Sequence, residues 1–413
     1  MTSKSSSSSL FVVVLNNSCT AQGGASRVAI DEAVALSKRG AHVSFLGASG
    51  PICTELTNAD LRVICLGQPE LANAGLRPSV MFQGLWNSDA YHATASLLDS
   101  LDARRTIVHL HGFTQALSTS PVRCAVDRGF RVVYTLHDFF SACPNGAFFN
   151  YASKTPCELR PLSLSCISTN CDKRRYAHKL YRVARSLTQR SVGRFPSGVR
   201  DYIALSKRSE TLLRPYLPAD AHVYPIANPI EVPRRPPVDV MRNQSIVAVG
   251  RLDPEKGVEV LVEAAGLCGT PITFVGDGPL RALVEASDGC RVTGWLPRDA
   301  VLAELDQARC VVFPSLWYET YGLAVAEAAA RGVPAIVSDI SAAAERIRNN
   351  ETGWHVRTGH AEDLARALLL IRSDETVWSA GLAAYEEFWS NPQTEDRHAT
   401  ELLNVYEQIL SRG

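Results

Sequence analysis

The chain has 413 residues, with 42 Lys and Arg against 42 Asp and Glu, and its composition is 46% hydrophobic and 20% charged. That length exceeds what one hydrophobic core usually supports and favours two domains. The apolar share is that of an ordinary globular protein rather than a disordered or fibrous one. The balanced charge excludes a whole-molecule attraction to nucleic acid or to an anionic surface, so any electrostatic docking must be local.

Residues 1–9, within MTSKSSSSSL, read as a disordered Ser-rich tail. The apolar run Leu10 to Leu15 comes next and ends in Asn16 and Asn17. It is shorter than a secretory h-region and has no small-residue cleavage site after it, so the expectation is a buried strand and a cytoplasmic protein. No stretch reaches the ~18 apolar residues of a membrane span. The pattern then runs glycine turn (Gln22, Gly23, Gly24), helix (Ser26 to Lys38) and strand (AHVSFLG). Further strands are expected at Leu61 to Leu66, Thr106 to Leu110, Arg131 to Leu136 and Tyr202 to Leu205. Short apolar strands alternating with helices indicate a doubly wound parallel sheet, here spanning 10–232.

Eleven cysteines, an odd number scattered over a long chain, suggest reduced thiols. Cys143, Cys157, Cys166 and Cys171 fall in one irregular stretch of 29 residues. Their spacing lacks the Cys-x-x-Cys knuckle of a zinc site, so free or buried thiols are the default and a structural metal the alternative. Between Lys173 and Arg200 there are nine Lys or Arg and no acid. With Tyr176, Leu180, Val183 and Leu187 at helical spacing, 173–194 reads as a basic amphipathic helix. Either it packs with a solvated cationic face, or it contacts an anionic leaflet or a lipid-linked acceptor.

From Pro225 to Val240 the chain is Pro-rich, which suits an interdomain linker. A second alternation fills 241–384: SIVAVG, a helix from Gly257 to Leu267, ITFVG, a helix from Pro279, RVTGW, a helix from Arg298 to Ala308, CVVFPS, a helix from Leu323 to Arg331, and AIVSD. The segment Tyr385 to Leu410 reads as a final helix returning to the first domain.

Ligands of parallel sheets bind beyond the C-terminal strand ends, so the residues just after each apolar run matter most. After SIVAVG, Arg251 and Lys256 sit in a loop that opens a helix, a candidate diphosphate clamp. The alternative is a solvated loop with two incidental cations. After CVVFPS, Glu319 precedes a helix and Glu327 lies inside it, with Gly322 between them. A carboxylate can accept from two vicinal hydroxyls, and glycine lets backbone approach a phosphate. The plain alternatives are a helix N-terminal charge for Glu319 and a solvated face for Glu327.

The strings GRLDPEKG, GDGPL and FPSLWYETYGLAVAEAAARGVPAIVSD resemble the donor half of retaining glycosyltransferases of family 4, including a Glu-x7-Glu motif at Glu319 and Glu327. Gly23 and Gly24, the run His109-Leu110-His111-Gly112, and Thr135-Leu136-His137-Asp138 resemble the same family's first domain. The resemblance implies the GT-B fold, α/β with two Rossmann-like domains facing each other across a cleft. It also implies a hexosyltransferase using a nucleoside-diphosphate sugar, UDP- or GDP-linked, with no further cofactor.

Residue by residue, the resemblance implies that Arg251 and Lys256 hold the donor diphosphate, Glu327 the ribose and Glu319 the transferred sugar. Thr320, Tyr321, Gly322 and Leu323 would complete the donor pocket, and Gly23 and Gly24 would approach from the opposite domain. His111 would sit at the reacting sugar, and His137 on the acceptor side. The acceptor would be a glycan or lipid-linked, in bacterial surface polysaccharide or lipopolysaccharide synthesis, with possible peripheral contact at the inner membrane face through 173–200 and no nucleic acid partner. A nicotinamide dehydrogenase is disfavoured, since Gln22-Gly23-Gly24-Ala25 does not supply Gly-x-Gly-x-x-Gly. A sugar-nucleotide epimerase of the same fold and a non-catalytic scaffold with a Cys-rich module are the remaining alternatives.

Overall fold

The computed structural model describes residues 10–21, 23–71 and 77–412. The expected tail 1–9 and Gln22 of the glycine turn lie outside the described residues. The first sheet contains β1 (Phe11–Ser18), β2 (His42–Ser49), β3 (Arg62–Cys65), β4 (Thr106–Leu110) and β5 (Arg131–Thr135). After a small antiparallel hairpin of β6 (Phe149–Asn150) and β7 (Thr155–Pro156), it is completed by β8 (Asp201–Ala204) and β9 (His222–Pro225). Its order is β3-β2-β1-β4-β5-β8-β9, parallel throughout.

The second sheet is built from β10 (Ser245–Val249), β11 (Ile272–Val275), β12 (Cys290–Val292), β13 (Ala308–Phe313), β14 (Ala335–Ser338) and β15 (Gly353–Val356). It is also parallel, in the order β12-β11-β10-β13-β14-β15. In each sheet the chain winds outward in both directions from its first strand. The switch points therefore lie between β1 and β4 and between β10 and β13, where such sheets open a crevice for ligands.

Strand alternation divides the first domain's core. Val13, Leu15, Val108 and Leu110 face a cluster containing Tyr134, Phe195 and Tyr202. Val12, Val14 and Ile107 face the opposite side, under the helix Gly24–Lys38. That side is closed by the C-terminal helix Glu395–Ser411 through Leu402, Tyr406 and Ile409, all fully buried. Burying each such side chain contributes about 1.5–3 kcal/mol, enough to hold the helix on a domain distant in sequence.

The expected single helix from Tyr385 to Leu410 is corrected to two. Asp374–Ser390 packs on the second domain, where Val377 and Ala380 enter the core and Trp389 Nε1 donates to Ala330 O at 2.9 Å. The break arises at Pro392, which lacks an N–H and forces Asn391 out of the helical region, to φ −151°, ψ 61°. Thr394 then caps the next helix by accepting from Arg397 N. Strand β9 went unread in the sequence because it runs straight into the prolines of the linker.

The cysteine stretch 143–171 straps the first domain to the second. Ala147 and Phe149 pack on Leu316, Tyr151 OH donates to Glu255 Oε1 at 3.4 Å, and Lys154 Nζ meets Glu259 Oε2 at 2.6 Å. No helix among the described residues is long and apolar enough to cross a membrane.

Candidate active site

The loop after β10 is shaped by Gly257, at φ +72°. A Cβ there would lie 1.9 Å from Pro314 O, so only glycine lets this loop press onto the end of β13. That closeness delivers Lys256 to Glu319: Nζ meets Oε1 at 2.6 Å, while Ser315 Oγ donates to the same oxygen at 2.7 Å. The ammonium also lies 5.3 Å from the centre of the Trp317 ring. Arg251 is exposed and pairs with Asp253 at 2.9 Å, and Asp253 in turn takes Lys173 from the first domain. Both expected phosphate-binding cations thus stand at the strand end, each paired with a carboxylate.

Glu319 is buried and adopts φ +51°, a left-handed conformation that costs a non-glycine residue about 1–2 kcal/mol. Gly322, at φ +91°, begins the helix Leu323–Arg331, and a Cβ at this position would meet Ala343 Cβ at 2.7 Å. The first residue of this helix meets the glycine turn of the other domain: a Cβ built at Gly24 would lie 3.4 Å from Leu323 Cδ1. Gly23, at φ +80°, opens the helix on its side. Tyr321 OH donates to Asn228 O of the linker at 2.9 Å. Glu327 lies one turn further along the helix, 3.7 Å from Arg298 Nη2; burial pushes its carboxyl up, and Arg298 opposes the shift.

On the first domain, β4 carries His109 in the sheet, and His111 N continues the ladder by donating to Leu15 O at 2.9 Å. His111 Nδ1 lies 2.9 Å from His137 Nε2, with the rings stacked at 5.1 Å. Thr320 Oγ1 donates to His137 O at 3.1 Å. His111, His137 and the Glu319–Leu323 segment therefore form one continuous wall across the cleft.

Behind His111 lies a residue that the sequence reading passed over. Glu32, fully buried, has Oε1 2.6 Å from His109 Nδ1 and 3.3 Å from His111 Nε2. Tyr406 OH donates to Oε1 at 3.2 Å, and His398 Nε2 approaches Oε2 at 3.4 Å. The 3.3 Å approach of His111 Nε2 is a charge contact rather than an aligned hydrogen bond, since that nitrogen has no hydrogen-bond partner. Burial opposes the charge on Glu32, but the N–H ends of His109 and His111 outweigh it and hold the carboxyl well below its usual range. Burial pushes His109 down to about 4, against the pull of Glu32, and drives His137 well below the usual histidine value. The sequence signal was available: Glu32 stands on the same helical stripe as Ala29, Ala33 and Leu36, all of them buried.

Among the described residues, Glu32, His109 and His111 are the one group of three or more His, Cys, Asp or Glu close enough to share a metal. Tetrahedral zinc needs ligand atoms about 3.3 Å apart. At 2.6 Å, Glu32 Oε1 and His109 Nδ1 stand too close to be two ligands of one such ion, and His109 Nδ1 is hydrogen-bonded to Tyr406 OH at 2.6 Å. The alternative zinc site at Cys143, Cys157, Cys166 and Cys171 meets a different obstacle. Lys179, fully buried, donates to Cys171 Sγ at 3.2 Å and Cys166 Sγ at 3.5 Å, so a fixed ammonium occupies the space between the sulfurs.

Residues 243–374 match the family described as Glycosyl transferases group 1. The chain is 29% identical over 185 residues to the phosphatidyl-myo-inositol mannosyltransferase of Mycobacterium leprae, covering 41% of this chain and 48% of that protein. It is 31% identical over 148 residues to the amylovoran biosynthesis glycosyltransferase AmsK of Erwinia amylovora, covering 32% of this chain and 36% of that protein. The chain thus spans about half or less of the length of these curated relatives. In three dimensions it resembles Anabaena HepE, solved with UDP and glucose, with TM-score 0.64 and 16% identity over 97% of this chain and 100% of that one. Sucrose-phosphate synthase of Thermosynechococcus elongatus gives TM-score 0.69 and 16% identity over 98% of this chain and 100% of that one. The fold is GT-B, with two Rossmann-like domains.

Proposed function

We propose that this chain is a retaining family 4 glycosyltransferase. It would move a sugar from a nucleoside-diphosphate sugar to a hydroxyl of a glycan or lipid-linked acceptor, in bacterial surface polysaccharide or lipopolysaccharide synthesis. The observation that carries the reading is the convergence of Lys256, Glu319 and the Gly322 helix N-terminus at the end of one sheet, opposite Gly24 and His111 of the other. The relatives' names support it, and the UDP and glucose in the HepE complex favour a UDP-sugar over a GDP-sugar.

In this mechanism Arg251, Lys256 and the amides of Gly322 and Leu323 take up the charge of the departing diphosphate, with Thr320 and Tyr321 shaping the pocket. Glu327 accepts from the ribose hydroxyls and Glu319 from those of the sugar. The anomeric carbon–oxygen bond breaks with its electron pair going to the phosphate. The acceptor oxygen attacks the same face, and its proton passes to the leaving phosphate oxygen. His111, oriented by His137 and Glu32, lies beside the reacting sugar, and His137 borders the acceptor. This route needs no further cofactor. The basic helix around 173–194 would bring the enzyme to the inner membrane face.

The test is thermal stabilisation by UDP, GDP and their sugars on the wild type, Glu327→Ala and Arg251→Ala, and then a transfer assay with the stabilising donor. Stabilisation by one nucleotide, lost in both variants, is expected. No stabilisation by any nucleotide would overturn the donor assignment. Release of an epimerised sugar nucleotide without acceptor would establish the epimerase instead.

A further inference from the structure

The helix Tyr176–Ser191 and the loop after β4 border an open cavity of about 150 Å³ that the transfer chemistry does not use. One wall carries the cations Arg174 and Arg185 together with His178, and another part of the lining is apolar, from Leu71, Met81 and Phe140. No acidic side chain lines it. Arg182 also borders the cavity, but its guanidinium is already engaged by Asp172 at 3.1 Å and Asn145 O at 3.1 Å.

Arg185 is different. The residue is 7% exposed, its Nη1 donates to Thr114 O at 3.0 Å, and its guanidinium lies 4.8 Å from the centre of the Phe140 ring. Its Nε and Nη2 are buried and have no hydrogen-bond partner. These two nitrogens form one edge of the guanidinium, the fork that binds two oxygens of a phosphate side by side. His178 Nδ1 is likewise unpartnered. A buried, unpaired cation is costly, and two idle donors on a single edge, fixed by a carbonyl on one side and a ring below, are organised for an absent anion. Gln115, on the cavity wall, lies four residues beyond His111, so the loop that carries His111 also borders the cavity.

We infer that this cavity is a phosphate subsite for the acceptor, with Arg185 as its fork, Arg174 and His178 as supporting donors, and Leu71, Met81 and Phe140 receiving an apolar tail. Its assignment to the acceptor rests on the transferase reading; the binding itself does not. The test is calorimetric titration of the full chain, at fixed ionic strength, with hexyl phosphate, inorganic phosphate and hexanol. The variants are Arg185→Met, Arg174→Ala and the Arg251→Ala/Lys256→Ala pair.

Hexyl phosphate should bind at least about tenfold more tightly than inorganic phosphate, identifying a lipid-type acceptor. Equal affinities would support the same site with a water-soluble phosphate source. In either case Arg185→Met should weaken binding by about tenfold or more and the exposed Arg174→Ala by about threefold, with the Arg251/Lys256 pair unaffected. Arg174→Ala keeps the test decisive should Arg185→Met fail to fold. No binding, equal binding of hexanol, or loss only in the Arg251/Lys256 pair would overturn the inference. Nucleotide stabilisation, measured on the same Arg185→Met sample, reports separately on the donor site.

Discussion

Replacing Glu32 with glutamine probes the buried network behind His111. The carboxylate is 1% exposed and meets His109 at 2.6 Å, Tyr406 at 3.2 Å and His111 at 3.3 Å. Glutamine keeps one acceptor oxygen but turns an N–H towards groups that themselves donate. At least one buried donor then loses its partner, at about 1–3 kcal/mol, and the histidines lose a charge that breaking a buried pair puts at about 3–5 kcal/mol. A net loss of about 3 kcal/mol lowers the unfolding temperature by about 6–12 °C for a domain of this size.

Transfer should slow while the donor KM stays within about twofold, because His111 is misoriented without any change to the nucleotide pocket. Tyr406→Phe removes one donor from the opposite side, and the double variant should show a coupling of about 1 kcal/mol or more. An unfolding temperature within about 2 °C of wild type, with additive single and double variants, would refute the network as a charged positioning device.

Gly322→Ala forces a Cβ to 2.7 Å from Ala343 Cβ at φ +91°, which should cost about 2–4 kcal/mol and lower the urea midpoint; an unchanged midpoint would contradict the turn geometry. Burial holds His109 down to about 4, against an ordinary 6.5, so below about pH 6.5 the unfolded chain takes up a proton that the native chain refuses. The stability from this group is therefore complete above about pH 6.5 and falls as pH drops towards 4. The advantage of wild type over His109→Gln should narrow by about 2 kcal/mol between about pH 7.5 and pH 5, and the His109 ring signals should titrate near 4 by NMR. Because the Lys179 ammonium fills the space between Cys166 and Cys171, a strong chelator should leave the unfolding temperature unchanged. A fall of about 5 °C or more would establish the zinc alternative.

The sequence by itself carried most of the plan of this protein. Apolar runs such as LFVVVL and CVVFPS can be buried only as central parallel strands. The residues immediately beyond such runs, Gly23 and Gly24, His111, Arg251 and Lys256, and Glu319 to Glu327, must then stand at strand ends. Local rules also place the glycines, since a left-handed turn or close backbone approach is a property of single positions. Contacts between distant segments obey no such local rule.

Only the tertiary structure decided that Glu32, in the first helix, receives Tyr406 and His398 from the last one, because a hydrogen bond across 374 positions leaves no periodicity to read. The cysteine stretch gave no sign of its target on the other domain, and nothing local told Lys179 from the solvated cations beside it. Arg185 sits in the same basic run as Arg190, which is exposed. Packing against Phe140 and Thr114, rather than residue type, is what leaves two of its nitrogens buried and waiting for an anion.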